Sequence, residues 1–239
     1  MKRWSIYIDI EGFSSIYAVD EAQALTSIHT LIDGIYCIGK HYCLETPNRL
    51  FVHQTGDGFA IISELNEGYP QVPISMAIFL MQRILTIGGI AKAGISSGDF
   101  SDIRGCFRDI FDEEDLQDDG IIRIGKGVMR LFPCMGNALI NANKLTTKKR
   151  GAILLMANSD VDFIPREILI NRCTNQPDVI TVDWVHTNTS IMRNIEKKLK
   201  IKLPEVSVME KQLLEYINKY EISLKPEWIQ NTINANRIG

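Results

Sequence analysis

The apolar run from Trp4 to Ile10 carries an acid near its end and passes straight into a turn, and this junction sets what the rest of the chain must build around. Its β-branched and aromatic residues read as a buried strand. Asp9-Ile10-Glu11-Gly12-Phe13-Ser14-Ser15 then supplies acid, glycine and two serines, which together signal strand end, tight turn and helix start. Leu25, Ile28, Ile32 and Ile35 recur at helical spacing and predict a long helix to about Lys40. Arg49 to Gln54 and Phe59 to Ser63 are short apolar runs joined by Thr55-Gly56-Asp57-Gly58, in which Asp-Gly is a strong hairpin signal. Pro70 and Pro73 mark a loop before a helix over Ile74 to Ile87, and Ile90 to Ser96 is another strand, ending at Gly98-Asp99. Strand, helix, hairpin, helix, strand is an α+β, split βαβ order of the ferredoxin-like kind.

The remainder is mixed. Asp109 to Asp119 is acidic, almost without apolar residues, and reads as an exposed excursion between strands. Gly136 to Leu145 opens a helix with Ala138, Ala142 and Leu145 on one side, and Ala152 to Met156 and Val179 to Val185 are late strands. Thr189-Ser190 can cap a terminal helical region carrying Ile191, Ile195 and Leu199. Pro204 interrupts it, and a second helix covers Met209 to Tyr220.

Composition narrows the class. With 239 residues, 45% of them hydrophobic, the chain is one large domain, or one domain plus an extension, with apolar material for a sizeable core. A net charge of −3 argues against a nucleic-acid partner. The longest apolar runs are of strand length, so no membrane span is expected, and Asp9 and Glu11 interrupt what would be a signal-peptide core. Five cysteines without a CxxC pair read as free thiols in a reducing cytoplasm.

The chemistry gathers at two acids. Asp9 ends the first strand and Asp57 sits at the tip of the hairpin; in a split βαβ layout these strands are neighbours, which brings the carboxylates together. Two such groups repel unless a proton or a cation is shared between them. Hard oxygens at strand ends suit Mg²⁺ or Mn²⁺, particularly with phosphates completing the shell. The N–H groups of Gly12 to Ser14, at a helix start, would face an anion such as a triphosphate. Acid, acid and anion nest together describe a two-metal phosphoryl-transfer site. Each part has a plainer alternative: Asp57 as a hairpin residue, Asp9 as a helix cap.

From Ser5 to Val185 the chain resembles the class III nucleotidyl cyclase catalytic domain. The family's first metal motif, D-[IL]-x-G-[FY]-[ST], stands as Asp9-Ile10-Glu11-Gly12-Phe13-Ser14, and its hairpin motif as Gly56-Asp57-Gly58-Phe59. Its later R/K-x-G-I-x-x-G strand is matched by Lys92 to Gly98, and its G-x-x-[VL]-N-x-A-x-R helix falls on Gly136 to Lys144. The resemblance implies a catalytic domain over residues 1–187 and a helical C-terminal extension over 188–239. It implies that Asp9 and Asp57 bind two divalent ions, Mn²⁺ or Mg²⁺, with the Ile10 carbonyl completing one site. Gly12, Phe13 and Ser14 would hold the triphosphate while the ribose 3′-oxygen attacks the α-phosphorus and pyrophosphate leaves.

Four positions depart from the family pattern. Ile140 stands where the family has its transition-state Asn, and Lys144 where it has an Arg; Lys is a point charge without the planar fork. Asn141 or Asn143 could substitute for the missing Asn. The two base-reading positions hold His53 and Pro133, so neither the adenine nor the guanine code is present. Compact cyclases of this kind resemble the pyrimidine cyclases of Pycsar antiphage defence, which make cyclic UMP or cyclic CMP for a separate effector. The resemblance therefore implies a homodimer with shared active sites. One chain gives Asp9 and Asp57, and the other gives His53, Pro133 and Lys144. UTP is the first expected substrate and CTP the second. The rival readings are an adenylate cyclase with an atypical base pocket, an inactive cyclase-homology module that binds nucleotide, and a palm-fold polymerase or cyclic-dinucleotide synthase.

Overall fold

The computed structural model describes residues 3–42, 51–62, 68–102, 113–115, 121–124, 126–130, 134–173 and 176–239. Strand β1 (Arg3–Ile10) leads into helix α1 (Phe13–Val19) and helix α2 (Glu21–Tyr42). The hairpin β2 (Phe51–Thr55) and β3 (Gly58–Ile62) follows, then α3 (Gln71–Leu85) and β4 (Ala91–Gly98). Short strands β5 (Ser101–Asp102), β6 (Ile121–Ile124), β7 (Gly127–Arg130) and β8 (Cys134–Met135) precede α4 (Asn137–Lys148). Strands β9 (Leu154–Ala157), β10 (Ile170–Arg172) and β11 (Val179–Val182) complete the strands, and α5 (Ser190–Leu199), α6 (Val206–Tyr220) and α7 (Pro226–Asn236) end the chain.

The main sheet has seven strands in the order β10-β11-β9-β4-β1-β3-β2. β1 lies inside it, antiparallel to both β3 and β4, and β9 runs parallel to β4. The order β4-β1-β3-β2 with α2 and α3 between the strand pairs is the expected split βαβ core. β5 pairs with β8 and β6 with β7 in two small two-stranded sheets.

Alternation along β1 decides what each face carries. Trp4, Ile6, Ile8 and Ile10 enter the core with Leu31, Ile35, Ile78 and Leu80 from α2 and α3. Tyr7 and Asp9 point to the opposite face, where α4 is seated on β4. The two glycines of the Lys92–Gly98 motif create that seat. A Cβ at Gly94 would stand 2.3 Å from the Ala142 carbonyl oxygen, and one at Gly98 would stand 2.6 Å from the Ala138 nitrogen. Ala138, Ala142 and Leu145 face inward, as their spacing predicts.

Two readings of the long helix change. The helical region is broken at Asp20, whose Oδ1 accepts from the Gln23 amide at 3.0 Å and starts α2 afresh. The stripe that announces the helix is also only half buried: Ile35 lies in the core and Ile28 packs against it. Leu25 and Ile32 are 49% and 42% exposed, while Ala24, Ser27, Leu31, Ile35 and Ile38 are buried. Small residues complete the buried face. A Cβ at Gly34 would come within 2.7 Å of Leu80 Cδ2, so the glycine leaves room for that leucine where α2 lies against α3.

The C-terminal helices join the same core: Leu203, Met209, Leu213, Ile217 and Trp228 belong to the cluster that contains Ile6 and Ile8. Thr189 caps α5 as expected, its hydroxyl accepting from the Met192 amide at 3.1 Å. Helix α7, strand β10 and the two small sheets are additions to the sequence reading. Of the expected acidic excursion only residues 113–115 are described, as a 3₁₀ turn; its other residues lie outside the described set, as do Cys43 and Cys106. Cys37 and Cys173 are free thiols, and Cys134 forms no disulfide. Among the described residues no helix is long and apolar enough to cross a membrane.

Candidate active site

The site forms where β1 runs out. Asp9 pairs across the sheet with Gly58 of β3 on one side and Lys92 of β4 on the other. The hairpin closes this tightly because position 58 lacks a side chain: a Cβ there would meet the Tyr7 hydroxyl at 2.6 Å and Asp9 Cβ at 3.4 Å. Gly56, with φ +66°, and Asp57 form the two-residue turn, which sets Asp57 at the tip beside the end of β1. Gly12 follows with φ +74°, a left-handed conformation that lets the chain turn from Ile10 into α1, which Phe13 and Ser14 open.

The electrostatics single out Asp9. Its Oδ1 is enclosed and takes part in no hydrogen bond. Its pKa is raised from 3.8 to about 7, chiefly by burial and then by Glu11, with a smaller push from Asp57 and with Lys92 opposing. Lys92 is itself buried, 6% exposed, with its Nζ 4.0 Å from Glu11 Oε2. Burial pulls the Lys92 pKa down while Glu11 and Asp9 hold it up. The other Glu11 oxygen accepts from the Trp228 indole N–H at 2.9 Å. Trp228, Glu11, Lys92 and Asp9 thus form one chain of polar neighbours from α7 into the centre of the sheet.

The residues expected at the site divide into groups. Asp9, Ile10, Gly12, Phe13, Ser14 and Asp57 gather at this end of the sheet. His53 is half-buried on β2, two register rows inward from the hairpin tip, in line with Ala60 and Tyr7. Asn141 and Lys144 are exposed on α4 and line a groove of about 810 Å³ with Ser96, Ser97, Asn158 and Asp160. α4 runs from Gly98 toward Gly94, so Asp9 and Lys92 lie beyond Gly94 on the side of its C-terminal half, and neither lines this groove. Ile140, 45% exposed, stands on α4 with no polar group to offer. Pro133 lies outside the described residues. Glu11, Lys92 and Trp228 are the members that sequence reasoning did not single out as site residues. The alternation that puts Lys92 on the Asp9 face was available in the strand, whereas nothing local links Trp228 to Glu11.

The residues present suit a divalent cation in one respect that can be tested on the structure. An enclosed carboxylate oxygen without a partner, near a second carboxylate, is a hard donor that a cation would satisfy. Among the described residues no group of three or more His, Cys, Asp or Glu is placed to hold a metal ion, so backbone and substrate oxygens would have to complete any shell built on Asp9 and Asp57.

No protein-family model matches the chain. No curated protein matches it by sequence. Solved structures do resemble it. The adenylyl cyclase CyaB from P. aeruginosa superposes with a TM-score of 0.51 at 14% identity, covering 76% of this chain and 93% of that one. The guanylate cyclase domain of RhGC from Catenaria anguillulae, solved in complex with GTP, gives 0.48 at 9% identity, covering 76% and 95%. The likeness to CyaB is one of fold: the chain has the α+β fold of class III nucleotidyl cyclase catalytic domains.

Proposed function

We propose that this protein is a nucleotidyl cyclase that converts UTP into 3′,5′-cyclic UMP and pyrophosphate. The observation that carries the reaction class is Asp9: an enclosed, unpartnered carboxylate oxygen at the end of the central strand, with Asp57 across the hairpin and a buried Lys92 beside it. Two Mn²⁺ or Mg²⁺ ions held by Asp9, Asp57 and the Ile10 carbonyl would lower the pKa of the ribose 3′-OH and neutralise the phosphates. Lys92 brings a fixed positive charge to the same end of the sheet, suited to a triphosphate. Gly12, Phe13 and Ser14 remain triphosphate contacts on the family pattern alone.

The reading takes residues 1–187 as the catalytic part, 188–239 as an extension, and the protein as a homodimer. Separation of Asn141 and Lys144 from Asp9 within one chain supports this: the α4 groove of one subunit would meet the acid pair of the other, and Lys144 would then neutralise the α-phosphate. Pyrimidine choice rests on His53, since neither purine code stands at the reading positions. CTP is the second substrate. The cyclic product would serve a separate effector in antiphage defence.

Purified protein is incubated with each of the four nucleoside triphosphates and Mn²⁺, and products are identified by mass. Cyclic UMP as the main product supports the whole reading. Cyclic AMP retains the reaction class and overturns the pyrimidine choice. Absence of any cyclic product under these conditions overturns the enzyme and leaves a nucleotide-binding homologue.

A further inference from the structure

Helix α7 is tied to the sheet by polar bonds rather than by apolar packing alone. Thr232 Oγ1 accepts from the Ala152 amide at 3.0 Å, Asn236 Nδ2 donates to the Ala152 carbonyl at 3.0 Å, and Asn231 Nδ2 donates to the Arg150 carbonyl at 2.9 Å. At Gly151, where φ is +136°, a Cβ would stand 2.9 Å from Thr232 Oγ1, so the helix sits against bare backbone. These bonds fix the depth of α7, and that depth brings the buried Trp228 indole to Glu11, 217 positions away in sequence.

Glu11 stands in the middle of the turn that the proposed chemistry uses. Its amide donates to the Ile90 carbonyl at 2.9 Å, while its side chain reaches Trp228 with one oxygen and Lys92 with the other. Were the side chain released, Lys92 would lose its partner and be drawn to the enclosed Asp9 oxygen that a cation needs, and its positive charge there would weaken a cation site by direct competition.

We propose that Trp228 is a positioning residue of this site: its indole N–H holds the Glu11 side chain against Lys92 and ties the Ile10–Ser14 turn to the C-terminal helix. The proposal rests on the cyclase reading for its consequence, and on the structure for the tether itself. It gives the C-terminal helices a part in the site, beyond closing the core.

Trp228→Phe keeps the ring that packs against Tyr216, 6.1 Å between centroids, and removes the N–H. Hydrogen exchange of the peptide spanning residues 10–14 is compared with wild type, and Mn²⁺ affinity is measured without nucleotide by the electron spin resonance of free Mn²⁺. Losing a hydrogen bond to a carboxylate should speed exchange there about tenfold and weaken Mn²⁺ binding by a similar factor. In a Glu11→Ala background the same substitution should do neither. Glu11→Gln, which keeps the accepting oxygen, should retain the slow exchange and serves as the control should Trp228→Phe fail to fold. A Trp228→Phe effect of equal size in both backgrounds, or none in either, overturns the tether. Wild-type protein that binds no Mn²⁺ overturns the cyclase reading, while the exchange comparison still decides the tether by itself.

Discussion

Asn in place of Asp9 should make the cation-free protein more stable at pH 8, while abolishing the site. Burial and the neighbouring carboxylates lift the folded Asp9 from 3.8 to about 7, even with Lys92 beside it. Folding therefore takes up a proton between those two values, and wild-type stability declines across that window as pH rises. Each unit of displacement corresponds to about 1.4 kcal/mol, so the ionised carboxylate costs the fold on the order of 4 kcal/mol above pH 7. Asn keeps the shape, titrates nothing and removes this cost. For a chain of this size about 2–4 °C accompany each kcal/mol, which makes the expected rise in Tm roughly 8 °C or more at pH 8. The two proteins should converge below about pH 4, where Asp9 is protonated folded and unfolded alike. Thermal denaturation in chelator across pH 4 to 8 measures the difference. Added Mn²⁺ should raise the wild-type Tm and leave the variant unmoved, because only the carboxylate has differential affinity for the ion. A variant no more stable than wild type at pH 8 in chelator would refute the claim that Asp9 is held in an environment hostile to its own charge.

On the cyclase reading, in which Asp57 is a cation ligand, Asp57→Asn should leave the circular-dichroism spectrum intact and lower cyclic-nucleotide formation at least about a thousandfold. Asp57→Asn and Lys144→Ala proteins, each inactive alone, should regain activity when mixed under subunit exchange; light scattering that shows a monomer at working concentration would contradict the shared site. His53→Ala should lower kcat/KM for the preferred pyrimidine about tenfold, the equivalent of one hydrogen bond, and narrow the discrimination between UTP and CTP. His186 joins Asp183 to Glu210 of α6, with 3.0 Å from its ring nitrogens to each. Burial pulls its pKa down, but the two carboxylates outweigh this and raise it above 6.5. Its stabilisation is thus complete below about 6.5 and is lost as pH rises through the higher folded value, so His186→Ala should lower Tm more at pH 6 than at pH 9.

The order of elements was legible because alternation and turn residues are local signals: Trp4 to Ile10, the Gly56-Asp57 turn and the inward Ala138, Ala142 and Leu145 all lie where short-range patterns place them. The buried face of α2 was legible only in part. Ile28 and Ile35 turn inward as the apolar period predicts, but Leu25 and Ile32 point outward and the small residues Ala24 and Ser27 are buried in their place. Helix α7 has a proline at its first turn and Trp228, Thr232 and Ala235 on one side, yet much of its anchoring is polar and reaches the backbone of residues 150–152. Such bonds leave no trace in hydrophobic periodicity. Asp9 was legible as an acid at a strand end; the charge network around it depends on register between three strands and a helix, which no single segment encodes.

His53 and Asp9 occupy opposite kinds of position in the sheet. β1 is flanked on both sides, so its register is held by two neighbours at once, and a change at Asp9 is felt by β3 and β4 together. Among the described residues β2 is the last strand of its sheet and pairs with β3 alone, and Val52 beside His53 is 36% exposed. A substitution at a rim position disturbs one ladder of hydrogen bonds and little core. If His53 reads the base, the chemistry of the reaction is anchored where mutation is punished and the choice of nucleotide where it is tolerated. A lineage built on this fold could then exchange one nucleotide signal for another by drift at the sheet's rim, leaving the reacting centre untouched.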